Sequence, residues 1–291
     1  MTTEPTSDAP APAGGARRHV VEPRFARTWL LVPATTPERF DAARASRTDA
    51  VVLDVEDAVD PSRKDAARAD VIAWLSTGGR GWVRINDRTS PHWQDDVDRL
   101  RGVPGLVGVM LAKTESGEQV SDTADALGGS TPVLALVESA LGIEEARDIA
   151  CARGTFRLAF GSGDYRRDTG ASADALAMAY PRSRLVTASR IGDLPGPVDG
   201  PTVGGGLPEL REQSAVAVSL GMTGKLCLDS NQAPVINEVM SPTGTDVAWA
   251  RDVLRAFEEA GRIVRDGSDL PRIGRARRIE VLARAFGVEP A

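Results

Sequence analysis

The chain has 291 residues, of which 35 are Lys or Arg and 41 are Asp or Glu, so its formal net charge is −6. Its 42% hydrophobic and 26% charged residues are typical of a globular protein, and its length allows one large α/β domain. The acidic balance argues against nucleic-acid binding, and no apolar run approaches the ~18 residues of a membrane span. Two His and two Cys exclude a His/Cys zinc site and a disulfide framework. Carboxylates, arginines and lysines must therefore carry any acid–base or metal chemistry.

The first 24 residues predict a disordered tail, because they are rich in Pro, Ala, Thr and Gly and have no apolar period. They lack the basic-then-apolar pattern of a secretory signal, so we expect a cytoplasmic location. Lysine occurs three times, at Lys64, Lys113 and Lys225, and the remaining 32 basic residues are arginine.

From Arg27 onward, short aliphatic runs alternate with segments of helical spacing. The runs predict seven strands and a weaker eighth, in chain order Trp29–Val32, Val51–Val55, Trp82–Ile85, Val107–Leu111, Val133–Val137, Phe156–Phe160, the weak Pro197–Asp199, and Lys225–Leu228. The segments with helical spacing are Arg63–Leu75, Gln94–Leu100, Ile143–Ala152, Ala173–Ser189, Glu209–Leu220 and Asp246–Val264. Strands that are apolar on both faces and are joined by helices indicate a parallel sheet covered by helices.

Eight such units in roughly 250 residues favour a closed (β/α)8 TIM barrel over an open doubly wound sheet. We therefore expect the α/β barrel to span residues 25–270, with a short C-terminal helical extension over 271–291. A dinucleotide site is disfavoured, because no G-x-G-x-x-G follows the first strand. Gly161-Ser162-Gly163 is expected to be a strand-end turn, too short to form a Walker loop.

Polar residues follow the carboxyl ends of most predicted strands, where a TIM barrel places its active site. In strand order they are Asp54, Glu56, Asp57, Arg84, Lys113, Glu138, Asp164 and Asp229. A single Asp or Ser at such a position is more often a helix cap, worth ~1 kcal/mol. Capping does not explain why an arginine and a lysine should point into the same mouth, so the set as a whole indicates an active site.

Glu138 and Asp164 form the most informative pair, because they are 26 residues apart and so follow adjacent strands. Two such carboxylates can share a Mg²⁺ ion, which prefers oxygen ligands and keeps water or substrate oxygens in its other positions. Arg84 is a candidate anion clamp, since a guanidinium matches a carboxylate bidentately. Because the chain has Lys113 and Lys225, a metal-free aldolase that forms a Schiff base stays an alternative, although carboxylates near Lys113 favour its charged form.

Several motifs, in order, resemble the citrate lyase beta-subunit-like proteins of the HpcH/HpaI aldolase superfamily, which includes malyl-CoA and citramalyl-CoA lyases. They are TWLLVP, AVVLDVEDAV (50–59), VRIN (83–86), LAKTES (111–116), ALVESALGI (135–143), FGSGD (160–164), PRSRLV (181–186) and GKLCLDSNQ (224–232). The resemblance covers about residues 27 to 265. It implies a Mg²⁺-dependent carbon–carbon lyase that acts on a 3-hydroxyacyl-CoA such as malyl-, citramalyl-, citryl- or 3-hydroxy-3-methylglutaryl-CoA, through a thioester enolate.

The resemblance also implies roles for individual residues. Glu138 and Asp164 would be the metal ligands, and Arg84 would hold the substrate and stabilise the enolate. Glu56 and Asp57 would support the metal's waters and the substrate hydroxyl. The further substrate-binding candidates are Glu138, Lys113 and Asp229. The partners implied are an acyl-CoA and a 2-oxo acid, and the expected assembly is a homotrimer or hexamer.

The chain departs from the family pattern at the last strand. Where the family usually has G-K-x-C-I-H-P-x-Q, this chain has Asp229 and Ser230 in place of His and Pro. Strand five has V-E-S where the family commonly has I-E-T. Longer malyl-CoA lyases carry a C-terminal lid, whereas little of this chain is left after about residue 270. The alternatives are an aldolase that acts on free 2-oxo acids without CoA and a non-catalytic barrel subunit of a larger lyase complex.

Overall fold

Eight parallel strands close into a barrel in the computed structural model, which describes residues 20–291. The strands are β1 Thr28–Pro33, β2 Ala50–Asp54, β3 Gly81–Ile85, β4 Leu106–Leu111, β5 Val133–Val137, β6 Thr155–Phe160, β7 Val198–Asp199 and β8 Gly224–Cys227. Each strand pairs with the next in sequence, and β8 pairs with β1 to close the ring. The predicted TIM barrel is confirmed.

Helices cover the outside of the barrel. They are α1 Phe40–Ala45, α2 Lys64–Ser76, α3 Trp93–Leu100, α4 Gly117–Ala126, α5 Ala140–Glu144, α6 Ala146–Cys151, α7 Ser162–Thr169, α8 Ala179–Ile191, α9 Leu207–Ser219, α10 Ala233–Val239, α11 Gly244–Glu259 and α12 Asp269–Phe286. Short 3₁₀ helices span Pro23–Phe25, Pro37–Arg39, Pro61–Arg63 and Ser230–Gln232.

Two local predictions in the second half of the barrel were wrong. Gly161-Ser162-Gly163 is not a free turn, because Ser162 and Gly163 belong to α7, which Gly170 ends in the left-handed conformation that glycine favours. The helix predicted over residues 173–189 therefore begins later, at Ala179. The weak eighth strand exists, although β7 has only two residues.

The alternation of each strand decides which side chains fill the barrel, because successive residues point to opposite faces. Inward residues such as Trp29, Val52, Trp82 and Leu136 form the interior core, and residues of the other parity pack under the helices. Trp29 and Trp82 meet edge to face, with ring centroids 5.1 Å apart. The same parity, continued two residues further, directs Asp54, Arg84 and Glu138 into the carboxyl-terminal mouth.

Helices α11 and α12 pack on each other around a small core of their own, which includes Val247, Ala250, Ala276 and Ile279. The predicted domain boundary at residue 270 falls near the start of α12 and stays a prediction. Residues 1–19 of the predicted disordered tail lie outside the described residues, whereas Val21 is buried and Pro23–Phe25 forms a 3₁₀ turn. Within residues 20–291, no helix combines the length and the apolar character needed to cross a membrane.

Candidate active site

The end of β2 and the turn after it supply three carboxylates at the mouth. Asp54 is the last residue of β2 and is 2% exposed, and its Oδ1 accepts the backbone N–H of Glu56 at 2.9 Å. The Glu56 carboxylate accepts the backbone N–H of Asp57 at 2.6 Å. Burial raises the pKa of Glu56, although the Arg84 charge acts in the opposite direction. The turn thus holds a buried carboxylate, Glu56, beside a more exposed one, Asp57.

Arg84 points into the mouth from β3, where Asp54 already occupies its fork. Arg84 Nε donates to Asp54 Oδ1 at 2.8 Å, and Nη2 donates to Oδ2 at 2.5 Å. Arg84 Nη1 lies 3.4 Å from Glu56 Oε2. Burial opposes the guanidinium charge, but the Asp54 hydrogen bonds and charge outweigh burial and raise the pKa of Arg84. Arg84 is therefore a fixed cation whose Nε–Nη2 edge is taken by Asp54, so a substrate anion would meet its outer, Nη1–Nη2 edge, near Glu56.

Lys113 follows β4 and links the β2 segment to the β5 segment. Its Nζ donates to the Glu56 carboxylate and, at 3.0 Å, to Asp57 Oδ1, while its backbone N–H donates to Glu138 Oε1 at 2.8 Å. The backbone of Lys113 is left-handed, with φ of 46°, a conformation that costs a non-glycine residue about 1–3 kcal/mol. Burial would lower the pKa of the ammonium, but hydrogen bonds to Glu56 and Asp57 raise it. A charged amine is not a nucleophile, so Lys113 is poorly suited to Schiff-base chemistry.

Glu138 and Asp164 contribute two further predicted carboxylates. Glu138 directly follows β5 and is 5% exposed, and burial, with a further contribution from the Asp164 charge, raises its pKa to about 8. Asp164 lies in the first turn of α7, where its Oδ1 is 2.9 Å from Nη1 of Arg167. A Cβ atom at Gly161 would lie 2.2 Å from Glu138 Oε2, so only glycine leaves room for this carboxylate.

The structure brings most of the predicted site residues together. A chain of direct contacts joins Arg84, Glu56, Asp57, Lys113 and Glu138. A cavity of about 560 Å³ beside them is lined by Lys113, Glu138 and Asp164, together with Ser139, Thr89 and Arg167. Among residues 20–291, no group of three or more His, Cys, Asp or Glu side chains is arranged to hold a metal ion. A pair of oxygen donors instead suits Mg²⁺, which retains water or substrate oxygens.

Asp229 and Lys225 do not join this cluster. Asp229 is exposed, and its Oδ1 accepts the backbone N–H of Asn231 at the start of the 3₁₀ helix Ser230–Gln232. Lys225 is fully buried, with Nζ 2.9 Å from Asp199 Oδ2 and 2.7 Å from the Gly200 carbonyl oxygen. A substrate cannot reach this amine without breaking the ion pair, so the Schiff-base alternative finds no support at Lys225 either. The substrate-binding role of Asp229 stays a prediction.

Two residues that support the cluster were given no role of their own in the sequence analysis. Asp54 was noted only as part of the strand end, although its inward parity in β2 is a sequence signal that it faces the mouth. Lys64 Nζ donates to the carbonyl oxygens of Val55 and Glu56, each at 2.9 Å. No spacing rule reveals that contact, because it depends on how α2 packs against the end of β2.

The fold is that of a TIM-barrel protein, and the cluster is a candidate active site of oxygen donors and one arginine at the carboxyl ends of its strands. A family model described as HpcH/HpaI aldolase/citrate lyase matches residues 27–230, and one described as HpcH/HpaI aldolase C-terminal domain matches residues 245–287. The chain belongs to this family, as its motifs predicted, and it is an enzyme of the lyase class. The second match covers most of α11 and all of α12.

Individual relatives agree with this assignment. A citrate lyase subunit beta-like protein of Mycobacterium tuberculosis is 34% identical over 240 residues, covering 78% of this chain and 84% of that protein. An L-malyl-CoA/beta-methylmalyl-CoA lyase of Cereibacter sphaeroides is 30% identical over 271 residues, covering 80% and 85% respectively. The crystal structure of the Mycobacterium tuberculosis protein CitE in complex with magnesium, acetoacetate and coenzyme A aligns with a TM-score of 0.74 and 29% identity. That alignment covers 91% of this chain and 99% of the CitE chain.

Proposed function

We propose that this protein is a Mg²⁺-dependent lyase that cleaves, or forms, the carbon–carbon bond of a 3-hydroxyacyl-CoA thioester. The observation that carries the proposal is the pair Glu138 and Asp164, two carboxylates beside a fixed Arg84 at the carboxyl-terminal mouth of the barrel. Relatives named as malyl-CoA and citramalyl-CoA lyases support the substrate class, and the magnesium complex of CitE supports the metal.

The side chains of the candidate site fit Mg²⁺. Glu138 is buried next to a second carboxylate, and repulsion between them contributes to its raised pKa. A divalent cation held by Glu138 and Asp164 would relieve that repulsion, and Gly161 gives the Glu138 carboxylate the room it needs at this position. When bound, Mg²⁺ supplies Lewis acidity toward the oxygens of the substrate.

The side chains of this chain would divide the remaining work. The outer edge of Arg84 is a cation fixed by Asp54, and a fixed cation beside a thioester oxygen stabilises the negative charge that develops as the enolate forms. Glu56 and Asp57 are the carboxylates placed to accept the proton of the substrate hydroxyl, and Lys113 holds both of them. Neither task requires histidine, which agrees with the near absence of that residue.

Mass spectrometry of the products would test the function directly. The purified protein is incubated with Mg²⁺ and malyl-, citramalyl-, citryl- or 3-hydroxy-3-methylglutaryl-CoA. We expect one of them to yield a shorter acyl-CoA and an oxo acid, and we expect EDTA to stop the reaction. Glu138→Gln serves as the matched inactive control. If no thioester is cleaved by the wild-type protein, the proposed substrate class is wrong.

The alternatives have less support. An aldolase that acts on free 2-oxo acids through a lysine is disfavoured by the charged Lys113 and the buried Lys225. A metal-dependent aldolase without CoA, or a non-catalytic subunit, would show no turnover of any thioester in the same panel. A homotrimeric or hexameric assembly and a cytoplasmic location stay predictions, and light scattering after size exclusion would measure the former.

A further inference from the structure

Lys64 lies beneath the turn that carries Glu56 and Asp57. It is the first residue of α2 and is 6% exposed. Its Nζ is 2.9 Å from the carbonyl oxygen of Val55 and 2.9 Å from that of Glu56. The ammonium therefore joins the start of α2 to two consecutive peptide groups of the active-site turn, and it does not line the cavity itself.

The local environment of Lys64 is unfavourable for a cation in two respects. The amino end of a helix carries partial positive charge, which repels an ammonium in the first turn. Burial also disfavours the charged form and lowers the pKa of Lys64, although the Glu56, Asp96 and Asp54 carboxylates act in the opposite direction. Residues that break a local rule tend to be compensated by a functional or wider structural role.

The choice of lysine is informative in this chain, because only three of its 35 basic residues are lysines. Arginine is by far the more frequent basic residue of this protein, so a lysine indicates a position where a guanidinium does not fit. An ammonium is compact and donates in three directions, whereas a guanidinium is planar and larger. Two convergent carbonyl oxygens at equal distance suit the ammonium.

Lys64 completes a set of restraints on Glu56. Asp54 Oδ1 holds the Glu56 N–H, and Lys113 Nζ and the Asp57 N–H hold its carboxylate. Lys64 is the side chain that fixes the carbonyl oxygens on either side of the Glu56 Cα atom. Without it, the peptide groups around Glu56 could rotate, and the carboxylate would lose its direction toward Lys113 and Arg84.

We propose that Lys64 is a positioning residue that fixes the Val55 and Glu56 peptide groups and thereby aims the Glu56 carboxylate into the active site. This role rests on the proposed lyase function for its catalytic consequence. Its effect on Mg²⁺ binding would pass through Lys113, whose Nζ donates to Glu56 and whose backbone N–H donates to the proposed metal ligand Glu138.

The test compares Lys64→Met, which keeps an apolar stem of similar length and removes the donors, with Lys64→Arg and with Arg157→Met. Arg157 is the matched control, a buried cation at the opposite end of the barrel that donates to the Ala26 and Gly196 carbonyl oxygens. We expect Lys64→Met to lower kcat 10- to 100-fold, the usual range for groups that orient ligands, with little change in KM. Lys64→Arg keeps the positive charge but not the compact ammonium that contacts both carbonyl oxygens, and we expect a smaller loss of kcat. Arg157→Met should lower Tm and leave kcat unchanged.

A double-mutant cycle with Glu56→Gln separates positioning from general destabilisation. If Lys64 acts through Glu56, Lys64→Met causes no further loss of kcat in the Glu56→Gln background. Independent, multiplicative losses would overturn the proposal, as would an equal loss of kcat in Arg157→Met. If Lys64→Met does not fold, the same cycle is run with Lys64→Arg.

Calorimetric titration with Mg²⁺ alone gives the same double-mutant cycle in terms of Mg²⁺ affinity, without any substrate. We expect Lys64→Met and Glu56→Gln each to weaken Mg²⁺ binding several-fold, and the double variant to be no weaker than Glu56→Gln. A wild-type protein that binds Mg²⁺ but cleaves no thioester would contradict the proposed function and leave this cycle interpretable. Unchanged Mg²⁺ affinity in Lys64→Met, with kcat also unchanged, would refute the positioning role.

Discussion

The Glu138 carboxyl group predicts an unusual pH dependence of stability in the metal-free protein. Its pKa in the folded chain is about 8, against an ordinary value of 4.5, chiefly because it is buried. Between these two values, folded Glu138 keeps a proton that the unfolded chain has released. Stability rises with pH only where the unfolded state binds more protons, and here the folded state binds more. The stabilising contribution of protonated Glu138 to the folded state is therefore fully present below about pH 4.5 and is lost as the pH rises through about 8.

The size of this effect follows from the interval between the two pKa values. At about 1.4 kcal/mol per pH unit, a rise from 4.5 to about 8 corresponds to a loss of about 5 kcal/mol across that range. Mg²⁺ binds the ionised carboxylate, so saturating Mg²⁺ should restore stability at pH 8 and have little effect at pH 5. Metal binding below pH 8 should also release close to one proton.

Chemical denaturation at pH 5, 6, 7, 8 and 9 measures both effects when it is carried out with about 10 mM Mg²⁺ and again with EDTA. Calorimetry in buffers of different ionisation enthalpy counts the released proton. Glu138→Gln is the matched control, because it keeps the shape of the side chain and cannot ionise. The reasoning is refuted if the metal-free wild-type protein and Glu138→Gln show the same pH profile between pH 5 and 8, or if Mg²⁺ stabilises both equally.

The other predictions concern activity. Glu138→Ala and Asp164→Ala should each abolish lyase turnover while circular dichroism shows an intact fold, and turnover that persists in both variants would contradict the metal assignment. Arg84→Lys should lower kcat about 10²-fold, because lysine cannot keep both hydrogen bonds to Asp54 and present a cation at the same place; near-wild-type kcat would argue against that role. Asp229→His should shift the ratio of kcat/KM among short acyl-CoAs, and unchanged selectivity would refute a role for Asp229 in substrate choice.

The barrel was predictable because each of its strands carries a local signal. β2 and β5 are buried along their whole length, and their continuous aliphatic runs predict this burial. The α7 helix was missed because its sequence, Ser162–Thr169, is almost entirely polar and glycine-containing, with Tyr165 as its one buried residue. Tertiary contacts between Tyr165 and Phe160 hold a segment that its own composition would leave as a turn.

The site was predictable as a set of residues and not as a set of contacts. The barrel rule places strand-end side chains on one rim, and Arg84, Lys113 and Glu138 were found that way. The rule does not say that Asp54 takes the fork of Arg84, because that contact depends on the register between β2 and β3, which pairs Asp54 with Arg84. Nor does it reveal the left-handed backbone that turns the Lys113 N–H toward Glu138.

The charges of the assembled site explain why the scarcity of His and Cys is compatible with a metal enzyme. Among the described residues of the cluster, four carboxylates (Asp54, Glu56, Asp57 and Asp164) form ion pairs with three cations (Arg84, Lys113 and Arg167), and Glu138 accepts the backbone N–H of Lys113. Because every donor is an oxygen, the cluster favours Mg²⁺ over softer metals such as zinc, which prefer nitrogen and sulfur ligands. Arg84 and Lys113 offset much of the charge of Asp54, Glu56 and Asp57, whereas Asp164 is paired with the largely exposed Arg167 and Glu138 accepts a backbone N–H, so a divalent ion would add most at Glu138 and Asp164.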